Sequence, residues 1–293
     1  MTVEVREDEI IERVYKSNYD FVSVEAKINR ELNPVELFQL TEDEAGNRFY
    51  FKKNNNQMSF FGFNALKRYK NDFENKQSIF REWEKDKERI DCIHPHSDKH
   101  HLKICGGFQF SAHKSGDEWR QFGINHFILP EILSTMEDGV TYVTYTVPRE
   151  EFDIERFKAF VQRLTERPES LIEPPKDITR IEDIFKDEWR DLVAQTVDEL
   201  DETKKIVLAR RRLIQFEQPI SVPYLLQRAL TGEQNSYLFV LESEESIFFS
   251  QTPEQLIEVE DNILSTKAVA GTIRRTHDCL LYTSDAADEE DSV

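Results

Sequence analysis

The chain has 293 residues, of which 39% are hydrophobic and 32% charged, with a formal net charge of −19. That length supports a real hydrophobic core in one large or two smaller domains, and the composition excludes a disordered chain. Apolar runs such as Tyr237–Leu241 fall far short of the ~20 residues a bilayer span needs, and the acidity excludes a broad nucleic-acid or anionic-membrane surface.

Met1–Ile10 is acidic and polar, unlike a secretory or transit peptide. Three cysteines, an odd number, give no disulfide framework and indicate a reducing compartment. A cytoplasmic protein is expected, with no obligate protein partner. In chain order, Arg48–Lys53 and Gln57–Phe61 read as a hairpin closed by Asn54–Asn56. Residues 76–90 read as a charged helix with Ile79, Phe80 and Trp83 on its apolar side. Val140–Val147 alternates as a half-buried strand and ends at Pro148. Asp153 is placed to cap a helix carrying Ile154, Phe157, Phe160 and Val161.

Pro168, Pro174 and Pro175 mark a boundary between residues 166 and 182. Beyond it, Phe185, Trp189, Leu192, Val193, Val197 and Leu200 form one helical stripe. Lys205–Arg210 reads as a strand continuing toward Phe216. Ser221–Leu230 reads as a helix with Pro223 near its start and Gly232 past its end. Two hairpins follow: 236–242 with 246–250, and 255–260 with 263–269 around Asp261 and Asn262. Hairpins rather than β-α-β units predict an α+β fold of antiparallel sheets with flanking helices.

The last fifteen residues, Cys279–Val293, hold five acids and no base, and lack any apolar period. A natural acidic tail is one reading. The other is translated adapter read-through at the end of an open frame, which sets the segment apart as non-native and leaves the native protein continuing past Asp278.

Three features compete for chemistry. Cys92, His94, His96, His100, His101, Cys105 and His113 resemble metal-ligating types, but Pro95 splits the first histidine pair and no paired spacing occurs. They read as exposed loop histidines. Gly62, Gly106 and Gly107 match no phosphate-binding loop and read as turns or bulges. The third feature spans the last hundred residues: Lys205 opening an apolar strand, Glu254 after Pro253, and Ala270-Gly271-Thr272. Burial would lower a lysine pKa toward that of a general base. Pro253 would fix the backbone presenting an acid. Small residues would let a backbone approach a carboxylated ligand, with the threonine hydroxyl donating. Each also has an ordinary reading, as a solvated flank, a surface acid and a turn.

Lys205–Arg210, Thr252–Leu256 and Ala270–Arg274 resemble, in order and approximate spacing, the chorismate-utilising enzymes. That family includes isochorismate, salicylate, anthranilate and aminodeoxychorismate synthases. The likeness is specific over roughly residues 184–278. It is looser at Phe60–Phe63, Gly106–Phe110, Trp119–Phe122 and Phe127–Pro130. The resemblance implies the fold of anthranilate synthase component I, incomplete at the C-terminus, with an N-terminal half over 1–175 and the first part of a catalytic region over 184–278. Lysine at 205 with alanine at 270 is similar to the isochorismate synthase pattern: glutamine is usual at the first position in anthranilate synthases, and a nucleophilic lysine occupies the second in some aminodeoxychorismate synthases.

The implied reaction is Mg2+-dependent attack of water at C2 of chorismate with loss of the C4 hydroxyl. Lys205 would be the base and Glu254 the acid, while Ala270, Gly271 and Thr272 would bind substrate. The resemblance places the metal's glutamate ligands beyond this chain, so the fragment itself is expected to be inactive. It leaves salicylate synthase and a non-catalytic binding module as alternatives, and menaquinone or siderophore biosynthesis as destinations.

Overall fold

The structure, a computed structural model, describes residues 2–55, 57–71, 75, 77–110, 116–169, 171–200, 206–232, 235–260 and 263–267. The N-terminal part contains β1 (Val3–Glu4), α1 (Glu7–Lys16), β2 (Phe21–Ile28) and α2 (Pro34–Leu40). It continues through β3 (Phe49–Lys52), β4 (Met58–Tyr69), α3 (Ser78–Lys87), β5 (Ile90–Ile93) and β6 (Cys105–Phe108). Next come β7 (Asn125–Glu137), β8 (Val140–Pro148) and α4 (Ile154–Arg163). The remainder holds β9 (Ile178–Asp183), α5 (Lys186–Glu199), β10 (Arg212–Phe216) and α6 (Val222–Thr231). It closes with β11 (Tyr237–Ser243), β12 (Ser246–Thr252), β13 (Glu258–Glu260) and β14 (Ile263–Ser265).

The expected α+β architecture is what forms. A ten-stranded sheet runs β1-β2-β8-β7-β4-β3-β11-β12, with β5 also on β2 and β6 also on β7. All of its pairings are antiparallel except β2 with β5. β11 lies on β3, with Val240 opposite Tyr50, so the sheet continues across the proline-rich boundary near residue 175.

Helices cover one face. Ile10 and Val14 of α1, Leu37 and Phe38 of α2, Phe157 and Val161 of α4, and Val222 and Leu226 of α6 pack on Val24, Ala26, Phe61, Phe63, Tyr145 and Val240. Local chemistry sets the helix starts. Asn33, Asp153 and Ser221 each accept from a first-turn N–H, and Pro34 and Pro223 occupy positions where a missing donor costs nothing.

The opposite face is polar across β2 and β8 and aromatic across β4, β3 and β11. Pro130 has no N–H to give in the middle of β7. Opposite it, β4 is irregular between Ala65 and Lys67, and Asn64 takes a left-handed φ of 57°. Glycine lets strands and rings close in. A Cβ on Gly62 would overlap the Phe49 ring, and one on Gly106 would overlap the His126 carbonyl. These two glycines are therefore close-approach positions inside strands, correcting their reading as turns or bulges.

Two further expectations need correction. Residues 206–211 are irregular and the strand begins at Arg212, where it pairs with β9. Ile206 and Val207 are exposed at 53% and 82%, so the segment entering β10 does not have the buried strand environment expected for it. The apolar stripe of α5 is incompletely covered: Trp189 and Val193 are half-buried, Leu192 and Val197 are exposed, and the helix has no buried residue. No helix among the described residues is long and apolar enough to cross a membrane.

Candidate active site

Glu254 is the sequence-selected site residue that falls within the described part. It follows β12 and Pro253, is exposed, and its N–H donates to Thr252 Oγ1 at 3.2 Å. Neighbours fix the loop that carries it. Tyr237 donates to Gln255 Oε1 at 2.6 Å, and Gln255 Nε2 donates to Glu258 Oε2 at 3.1 Å. Lys53 pairs with Glu258 and joins the loop to the end of β3. The hydrogen bond to Lys53 holds the Glu258 carboxyl below its usual range, and the same bond raises Lys53. An acid at 254 is thereby presented to solvent on a tethered backbone.

Lys205, Ala270, Gly271 and Thr272 lie outside the described residues; the nearest anchors in the described chain are at Arg210–Arg212 and at Thr266. After Lys205, Arg210 sits 5.3 Å over the Trp189 ring, and Arg212 makes two bonds to Asp183, at 2.6 and 3.1 Å. Ile184 donates its N–H to Arg211 O at 3.0 Å. Before Ala270, the β13–β14 hairpin brings Thr266 back so that its hydroxyl donates to Leu256 O at 2.8 Å. The β13–β14 hairpin therefore returns beside the Glu254 loop at Thr266. Cys279–Val293 also lies outside the described residues.

The more loosely matching segments converge in space. Phe60–Phe63 lies in β4, Gly106–Phe108 in β6 and Phe127–Pro130 in β7, with β4 and β6 pairing on opposite sides of β7. Trp119 and Phe122 then line a cavity of about 520 Å³ with Phe108, Phe110, Phe239 and Phe248. Ring contacts continue from Phe239 to Phe51 at 6.4 Å and from Phe51 to Tyr237 at 6.2 Å. Tyr237 in turn holds Gln255, so an aromatic row links the cavity to the Glu254 loop. His126 lines the same cavity, and burial, with Arg68 and Lys70 nearby, pushes it down to about 4.

The histidine cluster differs most from expectation. His101 is buried between Glu25 and Glu137, and His100 is pushed down to about 3 by burial and by His94 and His101. His100 and His101 are structural histidines rather than exposed loop ones, and His113 lies outside the described residues. The partners of His101 are 76 and 36 residues away, and no local spacing signals them. No group of three or more His, Cys, Asp or Glu among the described residues could hold a metal ion. Glu258, an acid on the same loop as Glu254, is already engaged by Lys53. The residues described around Glu254 therefore do not fit Mg2+.

A family model described as chorismate binding enzyme matches residues 9–281. The chain belongs to the chorismate binding enzyme family. It is 25% identical over 260 residues to the isochorismate synthase MenF of Bacillus subtilis, covering 83% of this chain and 55% of that protein. It is 30% identical over 177 residues to the isochorismate synthase MenF of Haemophilus influenzae, covering 58% of this chain and 37% of that protein. The structure of MenF, the menaquinone-specific isochorismate synthase of Escherichia coli, matches with a TM-score of 0.59 at 17% identity, over 85% of this chain and 55% of that one. That likeness is one of fold. The chain spans about half the length, or less, of the curated family members it matches.

Proposed function

We propose that this chain carries the first part of an isochorismate synthase site, in which residues 1–175 are scaffold and residues 184–278 supply catalytic groups. Lys205 takes a proton from water as its oxygen bonds to C2 of chorismate. The ring double bond shifts, the C4–oxygen bond breaks, and Glu254 gives that oxygen a proton. Hydroxide is a poor leaving group, so a base without an acid would leave the larger barrier standing. Ala270 and Gly271 let the backbone approach a substrate carboxylate, and the Thr272 hydroxyl donates to it.

The tethered, solvent-facing Glu254 supports this reading most directly, in a chain whose two curated relatives named above are isochorismate synthases. The reaction also calls for Mg2+, whose ligands the proposal does not assign to any described residue. Menaquinone biosynthesis is the proposed destination, because both curated relatives carry the name MenF, given for the Escherichia coli enzyme as menaquinone-specific.

The test is product analysis. The full-length gene product is incubated with chorismate and Mg2+, without nucleotide or flavin, and the products are separated by chromatography. Isochorismate as the end product supports the proposal. Salicylate with pyruvate would make it a salicylate synthase, and no turnover would favour a binding module.

A further inference from the structure

The loop between β5 and β6 contains none of the proposed catalytic residues, yet it is tied to the sheet by buried polar bonds. Glu25, in the middle of β2, is fully buried. One of its oxygens accepts from Ser97 Oγ at 2.7 Å, and the other lies 2.6 Å from His101 Nδ1. The second ring nitrogen, Nε2, lies 2.9 Å from Glu137 Oε1 at the end of β7. The imidazole is stacked on Tyr142 of β8, 4.2 Å between centroids and 15° between planes.

A neutral imidazole has one N–H, so two short contacts with two carboxylates require two protons between them. Lys99 stands 3.5 Å from Glu137 Oε2, His100 precedes His101 in the chain, and Lys103 follows two positions on. His96 faces Glu4 of β1 at 3.8 Å.

We propose that residues 94–101 form a strap that closes over the polar face of the sheet and is latched by the His101 ring. The ring occupies a cradle suited to a flat cation, with a carboxylate at each edge and an aromatic face beneath. The strap makes no strand pairing, since β5 ends at Ile93 and β6 begins at Cys105. Its root is anchored separately, because Leu102 and Ile104 pack with Tyr69, Ile79 and Trp83. The polar arm can therefore lift while the root stays in place. Pro95, His96, Asp98 and Lys99 already border an opening of about 580 Å³ beside the latch. Lifting the arm uncovers Glu25, Glu137 and the face of the Tyr142 ring. This device is independent of the proposed activity.

The experiment is hydrogen exchange by mass spectrometry on the full chain and on His101→Gly. Exchange in residues 94–101 is expected to rise about 10- to 100-fold, the scale of a lost charge-assisted bond, while β2 and β8 keep their protection. Added imidazole should restore protection of the strap in the variant, because it can serve both carboxylates. 1-Methylimidazole, which carries a single N–H when protonated, should not. Unchanged strap exchange in His101→Gly, or no recovery with imidazole, overturns the proposal. Should His101→Gly fail to fold, Glu137→Gln takes its place. Exchange raised in 94–101 alone supports the latch, and exchange that is unchanged, or raised equally across the sheet, overturns it.

Discussion

Arg48 and Glu242, 194 residues apart in sequence, meet in a buried two-pronged ion pair, Nε to Oε2 at 2.8 Å and Nη2 to Oε1 at 2.6 Å. The remaining capacity is used: Arg48 Nη1 donates to Phe38 O and Thr41 O, and Gly46 N–H donates to Glu242 Oε2. One pair thus joins the end of α2, the start of β3 and β11, the strand on which β12 and the Glu254 loop are built. Arg48→Met should cost about 3–5 kcal/mol by stranding a buried carboxylate, and adding Glu242→Leu should recover part of it. Urea denaturation of the two variants checks this. A single variant as stable as the parent would contradict it.

Gly106→Ala should destabilise the chain by about 1–3 kcal/mol, since its Cβ would overlap backbone of β7 rather than a movable side chain. Gly107→Ala, with open space at its Cβ position, should cost far less. Equal melting temperatures for the two variants would refute the close-approach reading.

Stability should depend on pH through two histidines kept neutral by burial. His126 is lowered to about 4 and His100 to about 3, against 6.5 when unfolded. Between those values the unfolded chain binds protons that the native chain does not, so stability is fully present above about 6.5 and falls as pH drops toward 4. His126 alone accounts for on the order of 3 kcal/mol of that loss. Denaturant midpoints from pH 7 to 4 should fall steeply, and His126→Phe should flatten the curve. An unchanged slope in the variant would exclude His126 as a contributor.

Elements with their own punctuation were legible in the sequence. Ser221, Pro223 and Gly232 bracket α6, Asp153 caps α4, and the hairpins at 48–61 and 236–252 carry alternating apolar residues between turn residues. β2 was not legible, because its polar members Ser23 and Glu25 are buried by partners distant in sequence that no local pattern announces. β7 was hidden by Pro130, tolerated through an irregularity in β4 that no local pattern announces. At the site, Thr252-Pro-Glu254 was legible as a motif. The tether from Tyr237 to Gln255 was not, since it depends on how β11 aligns with the loop.

Substrate anchoring should separate from chemistry. Thr272→Val retains shape but removes a hydroxyl, so it should raise KM for chorismate with little change in kcat. Lys205→Ala should do the reverse, lowering kcat by about two to four orders of magnitude. Steady-state kinetics on the full-length gene product distinguish the two. A Lys205→Ala variant with near-normal kcat would pass the base role to Lys204 or Lys267.

The most direct test is kcat for isochorismate formation by Glu254→Gln in the full-length gene product. Glutamine keeps the size of the side chain and the tether through Gln255, and removes only the proton that the departing hydroxyl needs. The account predicts a fall of about two to four orders of magnitude with KM for chorismate nearly unchanged. A kcat within a few-fold of the parent would show that Glu254 is not the acid.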